Sequence, residues 1–278
     1  MEIGIGLPNA VPGTSGEQLL EWARRSEGRG FSTLGTIDRV TYSNYEPLVA
    51  LSAAAAVTER INLMTTVLLA PLRGEGTIFG KQALSVNALS GGRLVLGLGL
   101  GPREDDFLAV GADMRTRGRD MEAFLTRLTE VWADETIGPD APAPRLAIGG
   151  RVAASFERAA RYGSEGWVAG GMGPDGFAEL MPKVRESWAA ARREGEARGV
   201  ALAYFTLGDA DPLPFVADYY GFMGEELVET IAGSIARDPE TVRAYARGFS
   251  EAGCDELIFF PAVGDPDQVD LLADAIGL

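Results

Sequence analysis

The feature that most constrains the fold of this chain is an alternation, repeated eight times, of a short apolar segment with a helical pattern. Each apolar segment is rich in branched side chains, as buried β-strands are, and is followed by a stretch with the period of a helix. The predicted strands cover residues 3–7, 33–37, 61–69, 94–98, 145–148, 166–169, 201–207 and 256–260. The predicted helices cover residues 16–29, 47–58, 77–89, 118–132, 152–162, 174–198, 239–251 and 266–276.

Nearly continuous apolar strands joined through helices predict a parallel sheet that is covered on both faces. Eight such units in 278 residues favour an α/β protein of the (β/α)₈ TIM-barrel class over an open doubly wound sheet. No G-x-G-x-x-G motif follows the first strand, which also argues against the open sheet. We therefore predict a single domain, residues 1–278, with an insertion between strands 7 and 8. Residues 217–236 of that insertion look helical, and Tyr219, Tyr220 and Phe222 are available to cover a site.

Composition excludes several classes of function. The formal charge of −15 disfavours binding to nucleic acids and to anionic membranes. The chain has no histidine, which excludes serine–histidine triads and histidine-based zinc centres, and we expect no metal site. The single cysteine, Cys254, cannot form a disulfide within the chain, and no apolar stretch has the length of a membrane span. We therefore expect a cytoplasmic protein.

Glycines cluster directly after predicted strands 4, 5 and 6, at the end of a barrel where ligands bind. These residues are Gly97, Gly99 and Gly101, then Gly149 and Gly150, then Gly170, Gly171 and Gly173. Glycine lets backbone N–H groups approach a ligand, and a helix that starts there adds the positive end of its dipole. Each loop taken alone is equally well explained as a tight turn. Two neighbouring loops of the same design, after strands 5 and 6, favour a phosphate cradle.

Polar residues also occupy the ends of strands 2 and 3. Asp38 and Arg39 follow strand 2, where they either bind a ligand or pair with each other. Strand 3 carries Thr65 and Thr66, whose hydroxyls either donate to a heterocycle or belong to residues chosen as good strand formers. The residues alone leave both alternatives open.

The most specific motif of the chain is S-G-G-R-L-V-L-G at residues 90–97, preceded by the segment 71–83. An acidic run at 104–107, the segment 53–61 and the I-G-G sequence at 148–150 accompany it. Together these segments, within residues 1–170, resemble the luciferase-like flavin-dependent oxidoreductases. That superfamily comprises bacterial luciferase-like monooxygenases and F420-dependent oxidoreductases.

The resemblance implies a (β/α)₈ barrel that carries FMN or coenzyme F420, often as a homodimer. It implies that the ring system lies across the barrel mouth against a bulged end of strand 3, with a non-proline cis peptide near Thr66-Val67. An arginine, Arg151 or Arg161, would add charge near the phosphate. The cofactor-binding residues implied are Leu7, Asp38, Thr65, Thr66, Val67, Gly99, Leu100, Gly101, Gly149, Gly150, Gly170, Gly171 and Met172.

The chain departs from the family at Arg39, because members usually have a histidine at this position. Arginine is permanently protonated and cannot act as a general acid or base, but it can stabilise an anionic ring or an enolate electrostatically. We predict that Asp38 and Arg39 are the catalytic residues and contact the ring or the substrate. Tyr42 and Tyr45 are expected to line the pocket.

These observations support a monooxygenase that uses reduced FMN and O₂ on a small organic substrate, with a flavin reductase as a possible source of reduced cofactor. The alternative of the same fold is an F420-dependent dehydrogenase or reductase. Asp38 favours this alternative, whereas the long anionic tail of F420 calls for lysines or arginines outside the glycine cradle, and the mouth offers few lysines. The absent histidine motivates another class, a non-catalytic flavin-binding protein. A phosphate-handling lyase unrelated to flavins is the remaining hypothesis.

Overall fold

The computed structural model of the protein describes residues 1–278 and confirms the predicted barrel. Eight parallel strands follow one another around the barrel in chain order, and β1 closes it by pairing with β8. The strands are β1 (Glu2–Gly6), β2 (Thr33–Thr36), β3 (Asn62–Leu69), β4 (Leu94–Gly99), β5 (Arg145–Gly149), β6 (Gly166–Gly171), β7 (Arg198–Phe205) and β8 (Glu256–Pro261). Each predicted strand therefore has an observed counterpart within a few residues.

Eleven α-helices accompany the strands. They are α1 (Gly16–Arg29), α2 (Pro47–Ala55), α3 (Thr77–Leu89), α4 (Glu104–Ala109), α5 (Arg117–Ala133), α6 (Ala153–Tyr162), α7 (Pro174–Ala190), α8 (Leu213–Tyr220), α9 (Glu225–Gly233), α10 (Pro239–Glu251) and α11 (Asp267–Ile276). The prediction of a helix through residue 198 was wrong. Helix α7 ends at Ala190, and Arg192 and Gly195 then adopt positive φ angles of 56° and 67°, which a helix does not tolerate.

The inside of the barrel is filled by side chains from the consecutive strands β3 to β8. Met64, Val95, Val168 and Ile258 belong to this buried cluster, and the ring of Phe260 covers its upper end. The Phe260 ring requires glycine beside it, since a Cβ at Gly35 would approach the ring to 2.8 Å. The barrel is therefore a packed core below the mouth and not a pore.

Residues 206–238, between β7 and α10, cover the mouth, and we call them the inserted segment. The single helix predicted at 217–236 is in fact two helices, α8 and α9, separated by a 3₁₀ turn (Gly221–Met223). Gly224 separates the turn from α9 with φ of 91°, a conformation that interrupts a helix. No helix of the protein combines the length and the apolar character needed to cross a membrane.

Two hydrogen bonds attach the inserted segment to the barrel loops. The guanidinium of Arg103, after β4, donates to the carbonyl of Tyr219 at 2.8 Å, and its plane lies over the Phe222 ring at 3.5 Å from the ring centre. The hydroxyl of Tyr42, after β2, donates to Asp218 Oδ2 at 2.6 Å. The inserted segment therefore lies over the loops that follow β2 and β4.

Candidate functional site at the barrel mouth

A cavity of about 610 Å³ opens at the C-terminal ends of the strands, beneath the inserted segment. Its 28 lining residues come from the ends of β2, β3, β6, β7 and β8, from the segments after β4 and β5, from the inserted segment and from α10. Of these residues, 16 are hydrophobic. A mostly apolar cavity of this size with a few polar groups is typical of a small-molecule or cofactor site. The position is also the one at which barrels of this class bind ligands.

Asp38 is buried in the wall of this cavity, and only one of its carboxylate oxygens has a partner. Oδ2 accepts the backbone N–H of Leu69 at 2.8 Å and the Arg73 guanidinium at 2.5 Å. Arg73 is held in turn by Glu46, at 2.9 Å. Oδ1 has no hydrogen-bond partner, and an unsatisfied buried acceptor costs free energy unless a ligand meets it. Asp38 therefore presents one free acceptor from a fixed position.

Arg39 is equally buried and is held by two carboxylates. Its Nε donates to Asp106 Oδ2 at 2.7 Å and its Nη2 to Asp105 Oδ2 at 2.9 Å, while the buried Nη1 has no partner. Burial acts to raise the pKa of Asp105, but hydrogen bonds from Thr41 and Arg103 and the charge of Arg39 outweigh it, so its pKa lies below the ordinary value. The alternative in which Asp38 and Arg39 pair with each other is therefore wrong.

The end of β3 has the bulge and the cis peptide that the resemblance implied. The register against β4 shifts between Thr65 and Leu68, and the Thr66–Val67 bond is cis. The hydroxyl of Thr65 donates to the carbonyl of Gly97 at 2.8 Å, and that of Thr66 donates to the carbonyl of Thr36 at 3.1 Å. Both hydroxyl protons are thus used within the protein, although Thr66 itself lines the cavity.

The glycines after β4 and β5 make room for the Val67 side chain. A Cβ at Gly149 would lie 2.8 Å from Val67 Cγ1, and one at Gly99 would overlap Val67 Cγ2. Gly150, next in the chain, has φ of 143° and would place a Cβ 2.5 Å from the Cβ of Ser155 on α6. These glycines are required by packing within the protein.

The end of β6 and the segment directly after it, which we call the exit of β6, face open space, in contrast. Gly170, Gly171, Met172 and Gly173 line the cavity, and a Cβ at Gly171 or Gly173 would meet no atom within 4 Å. Helix α7 starts immediately afterwards with no side chain capping its N-terminus. The guanidinium of Arg151, which has no carboxylate partner, donates to the carbonyl of Gly171. A helix N-terminus without a side-chain cap, open space before it and a cation without a carboxylate partner together suit an anion.

The chain matches the family described as luciferase-like monooxygenase over residues 1–276. The protein belongs to this family. An uncharacterized protein of Mycobacterium tuberculosis is 27% identical over 201 residues, which cover 59% of this chain and 68% of that relative. The F420-dependent glucose-6-phosphate dehydrogenase of Amycolatopsis mediterranei is 23% identical over an alignment of 292 positions. The match covers 87% of this chain and 87% of that relative.

Solved structures of luciferase-like type share the fold over nearly the whole chain. An F420-dependent secondary alcohol dehydrogenase, in complex with an F420–acetone adduct, has a TM-score of 0.80 at 15% identity and covers 99% of this chain and 98% of that one. The oxygenating constituent of 3,6-diketocamphane monooxygenase from Pseudomonas putida, a type II Baeyer–Villiger monooxygenase in complex with FMN, has a TM-score of 0.74 at 16% identity. That match covers 98% of this chain and 96% of the other. The protein is thus an oxidoreductase of luciferase-like type.

In this luciferase-like barrel the predicted site residues fall into two groups. Those that line the cavity are Asp38, Arg39, Thr66, Val67, Gly170, Gly171 and Met172. Those that lie outside the cavity lining are Leu7, Thr65, Gly99, Leu100, Gly101, Gly149 and Gly150. Leu7 and Thr65 are fully buried in the core.

Three further expectations for side chains near the mouth can be compared with the structure. Tyr42 and Tyr45 do not line the cavity, contrary to the prediction. Tyr42 packs edge-on behind Tyr219, and the Tyr45 hydroxyl donates to the carbonyl of Thr14 at 2.9 Å. Of the two candidate arginines, Arg151 lines the cavity, whereas Arg161 lies on α6 against the Tyr162 ring.

Sequence reasoning missed the charged residues that fix the site. Arg73 holds Asp38, and Asp106 holds Arg39 while accepting the backbone N–H groups of Val40 and Thr41. The one signal available was their position in the segments 71–83 and 104–107 that carry the family resemblance. Pairing between loops distant in the chain leaves no local pattern.

Proposed function

We propose that the protein is a monooxygenase that uses reduced FMN and O₂ on a small organic substrate. The observation that carries the proposal is the exit of β6, where Gly171 and Gly173 leave open space beside Arg151 at the start of α7. Backbone amides at a helix N-terminus with one arginine beside them suit a single phosphate group. FMN ends in such a group.

The other residues of the cavity fit a flavin ring system. Thr66 and Val67 offer a surface at the bulge of β3, and Asp38 and Arg39 offer an acceptor and a donor that have no partner within the protein. These two atoms match the edge of a heterocycle, which both donates and accepts hydrogen bonds. We therefore assign Asp38, Thr66, Val67, Gly170, Gly171 and Met172 to cofactor binding.

We assign to Arg39 the role of orienting the bound ring and stabilising its charge, and not the role of transferring protons. Its two ion pairs fix the guanidinium, and arginine serves as a fixed cation and hydrogen-bond donor rather than as an acid or base. A bound reduced flavin supplies the redox chemistry, while the protein supplies binding, orientation and electrostatics. A separate flavin reductase would deliver the reduced cofactor.

The charges of the cavity favour FMN over coenzyme F420. Three arginines line the cavity, and two of them, Arg39 and Arg103, lie next to carboxylates. Only Arg151 is free of such a partner, which suffices for one phosphate and not for a long polyanionic tail. The net charge of −15 adds repulsion against such a tail.

An F420-dependent hydride-transfer enzyme is the second candidate. The observation that favours it is Asp38, which is buried and keeps Oδ1 free beside the cavity. The F420-dependent relatives named above add to its weight. In that case the deazaflavin would occupy the same cavity, and its tail would leave past the exit of β6.

Cofactor titration separates the two candidates. We expect purified protein to quench FMN fluorescence and to bind FMN in preference to F420. Gly171→Asp places a carboxylate in the open space at the phosphate position, and we expect a loss of FMN affinity on the order of 100-fold, because like charges in contact cost several kcal/mol. The matched control is Gly28→Asp on α1, where a side chain also meets open space but far from the mouth.

Either of two results would overturn the proposal. Tight binding of F420 with none of FMN would replace it by the second candidate. Equal FMN affinity in the Gly171→Asp and Gly28→Asp proteins, both folded by circular dichroism, would remove the phosphate assignment.

A further inference from the structure

The wall of the cavity that β7, β8 and the inserted segment form is aromatic. Strands β7 and β8 and the inserted segment contribute Tyr204, Tyr219, Tyr220, Phe222 and Phe260 to the lining. Aliphatic side chains of the inserted helices lie between them. Aromatic rings pack best against other rings, in offset or edge-to-face arrangements. We call these five residues the aromatic wall.

The aromatic wall carries no charge of its own. Burial raises the pKa of the Tyr204, Tyr219 and Tyr220 phenols above their ordinary value, so that all three stay protonated at neutral pH. The nearest cations are already neutralised. Arg39 lies between Asp105 and Asp106, and Arg103 stacks on the Phe222 ring with Asp105 at 3.5 Å. An anionic ligand would find no free cation on this side of the cavity.

The wall has hydrogen-bond donors left over, and the Tyr204–Tyr220 pair holds one of them. The hydroxyls of Tyr204 and Tyr220 are 2.7 Å apart, and either one can donate to the other. Two phenols carry two O–H groups, and the bond between them uses one. The remaining O–H has no acceptor within the protein, and both tyrosines line the cavity. A ligand oxygen is the natural partner.

We infer that the aromatic wall is the substrate subsite, and that it takes an uncharged, ring-containing ketone or phenol whose oxygen accepts a hydrogen bond from the Tyr204–Tyr220 pair. The inference rests on the proposed function and deepens it, since it assigns the cofactor's phosphate to the exit of β6 and the substrate to the aromatic wall. It excludes phosphorylated sugars, because their phosphate would compete for Arg151, the one free cation. Tyr204 and Tyr220 are positioning residues in this arrangement.

The test uses FMN-saturated protein and calorimetric titration with defined probes. The probes are 1-tetralone, which is neutral with one carbonyl; tetralin, which lacks the oxygen; 2-naphthoate, which is anionic and of similar size; and glucose 6-phosphate. We expect 1-tetralone to bind at least about tenfold more tightly than 2-naphthoate, because a carboxylate pays for desolvation without a cation. We expect no binding of glucose 6-phosphate.

Two variants separate hydrogen bonding from packing. The double variant Tyr204→Phe/Tyr220→Phe keeps both rings but removes both O–H groups, because either hydroxyl alone would still leave one donor. It should weaken 1-tetralone binding by about fivefold, the effect of one lost hydrogen bond, while leaving tetralin binding unchanged. Tyr162→Phe, on α6 outside the cavity, is the matched control and should change neither. Tighter binding of 2-naphthoate or glucose 6-phosphate, or equal effects of the two variants on 1-tetralone, would overturn the inference.

The outcome is distinguishable from failure of the proposed function, which FMN titration measures separately. FMN binding without selectivity for 1-tetralone rejects the substrate class and keeps the cofactor. If FMN does not bind, the same titrations on the cofactor-free protein decide the matter. Oxygen-dependent selectivity that the Tyr204→Phe/Tyr220→Phe double variant removes then upholds the aromatic wall as the subsite, and its absence rejects it.

Discussion

The exits of β5 and β6 both carry a glycine pair, and the structure uses the two pairs in different ways. At β5, Gly149 leaves room for Val67, and Gly150 leaves room for Ser155 while its carbonyl accepts the indole N–H of Trp167 at 2.7 Å. At β6, Gly171 faces open space in the cavity wall. The comparison teaches that glycine after a strand has two separate physical causes, close packing and access for a ligand.

The largest expected effect is a loss of folding stability at Gly150, where close packing is the cause. Gly150→Ala forces a methyl group into Ser155 at a φ of 143°, so we expect the free energy of unfolding to fall by about 2–4 kcal/mol. Chemical denaturation monitored by tryptophan fluorescence measures it. The double variant with Ser155→Gly should recover part of the loss. A loss below about 0.5 kcal/mol would place Gly150 in the same class as an ordinary surface position.

An intermediate effect concerns the charge at the open exit. Arg151→Gln removes the one cation of the cavity lining that lacks a carboxylate partner, so FMN affinity should fall by about tenfold at low ionic strength. The difference should shrink as salt is added, because screening weakens an exposed charge. Arg161→Gln on α6 is the control, measured by the same fluorescence titration. A loss that is independent of salt would indicate a packing role for Arg151 instead.

The smallest expected effect is the change in folding stability at Gly171, in the exit of β6. Gly171→Ala adds a methyl group that meets no atom within 4 Å at a φ that any residue adopts, so the free energy of unfolding should change by less than about 0.5 kcal/mol. Thermal unfolding of this variant beside Gly150→Ala gives the contrast directly. If both variants lose equal stability, the two exits are packed alike and the distinction between them disappears.

The sequence was sufficient to predict the barrel because the patterns that indicate its strands and helices are local. Each strand is a short apolar run, and helices such as α1, α3 and α10 begin and end at the residues that their periodicity and flanking prolines or glycines predict. The wrong helix predictions lie where the backbone conformation of a single residue interrupts a helical pattern. Helix α7 ends at Ala190, before Arg192 and Gly195 with their positive φ angles. Gly224 interrupts the segment that the pattern alone continues into α9, and the short α4 has too few residues for a period to be seen.

The candidate site was only partly predictable. The position of Asp38 and Arg39 after strand 2 placed them at the mouth, but their ion-pair partners come from the loops after β3 and β4. The two glycine pairs look alike in sequence, and what distinguishes them is Val67 on β3 and Ser155 on α6. Such contacts join residues far apart in the chain, where no periodicity or spacing records them.

The inserted segment has a consequence for how selectivity can change in this family. The inserted segment, a single contiguous stretch of chain, forms one part of the cavity lining. Strand ends and loops from around the barrel form the rest. Exchanging that stretch between homologues would alter the shape offered to incoming molecules and leave every strand pairing intact. The shape of the cavity can therefore change through replacement of residues 206–238 alone, while the strand ends that line the rest of it stay as they are.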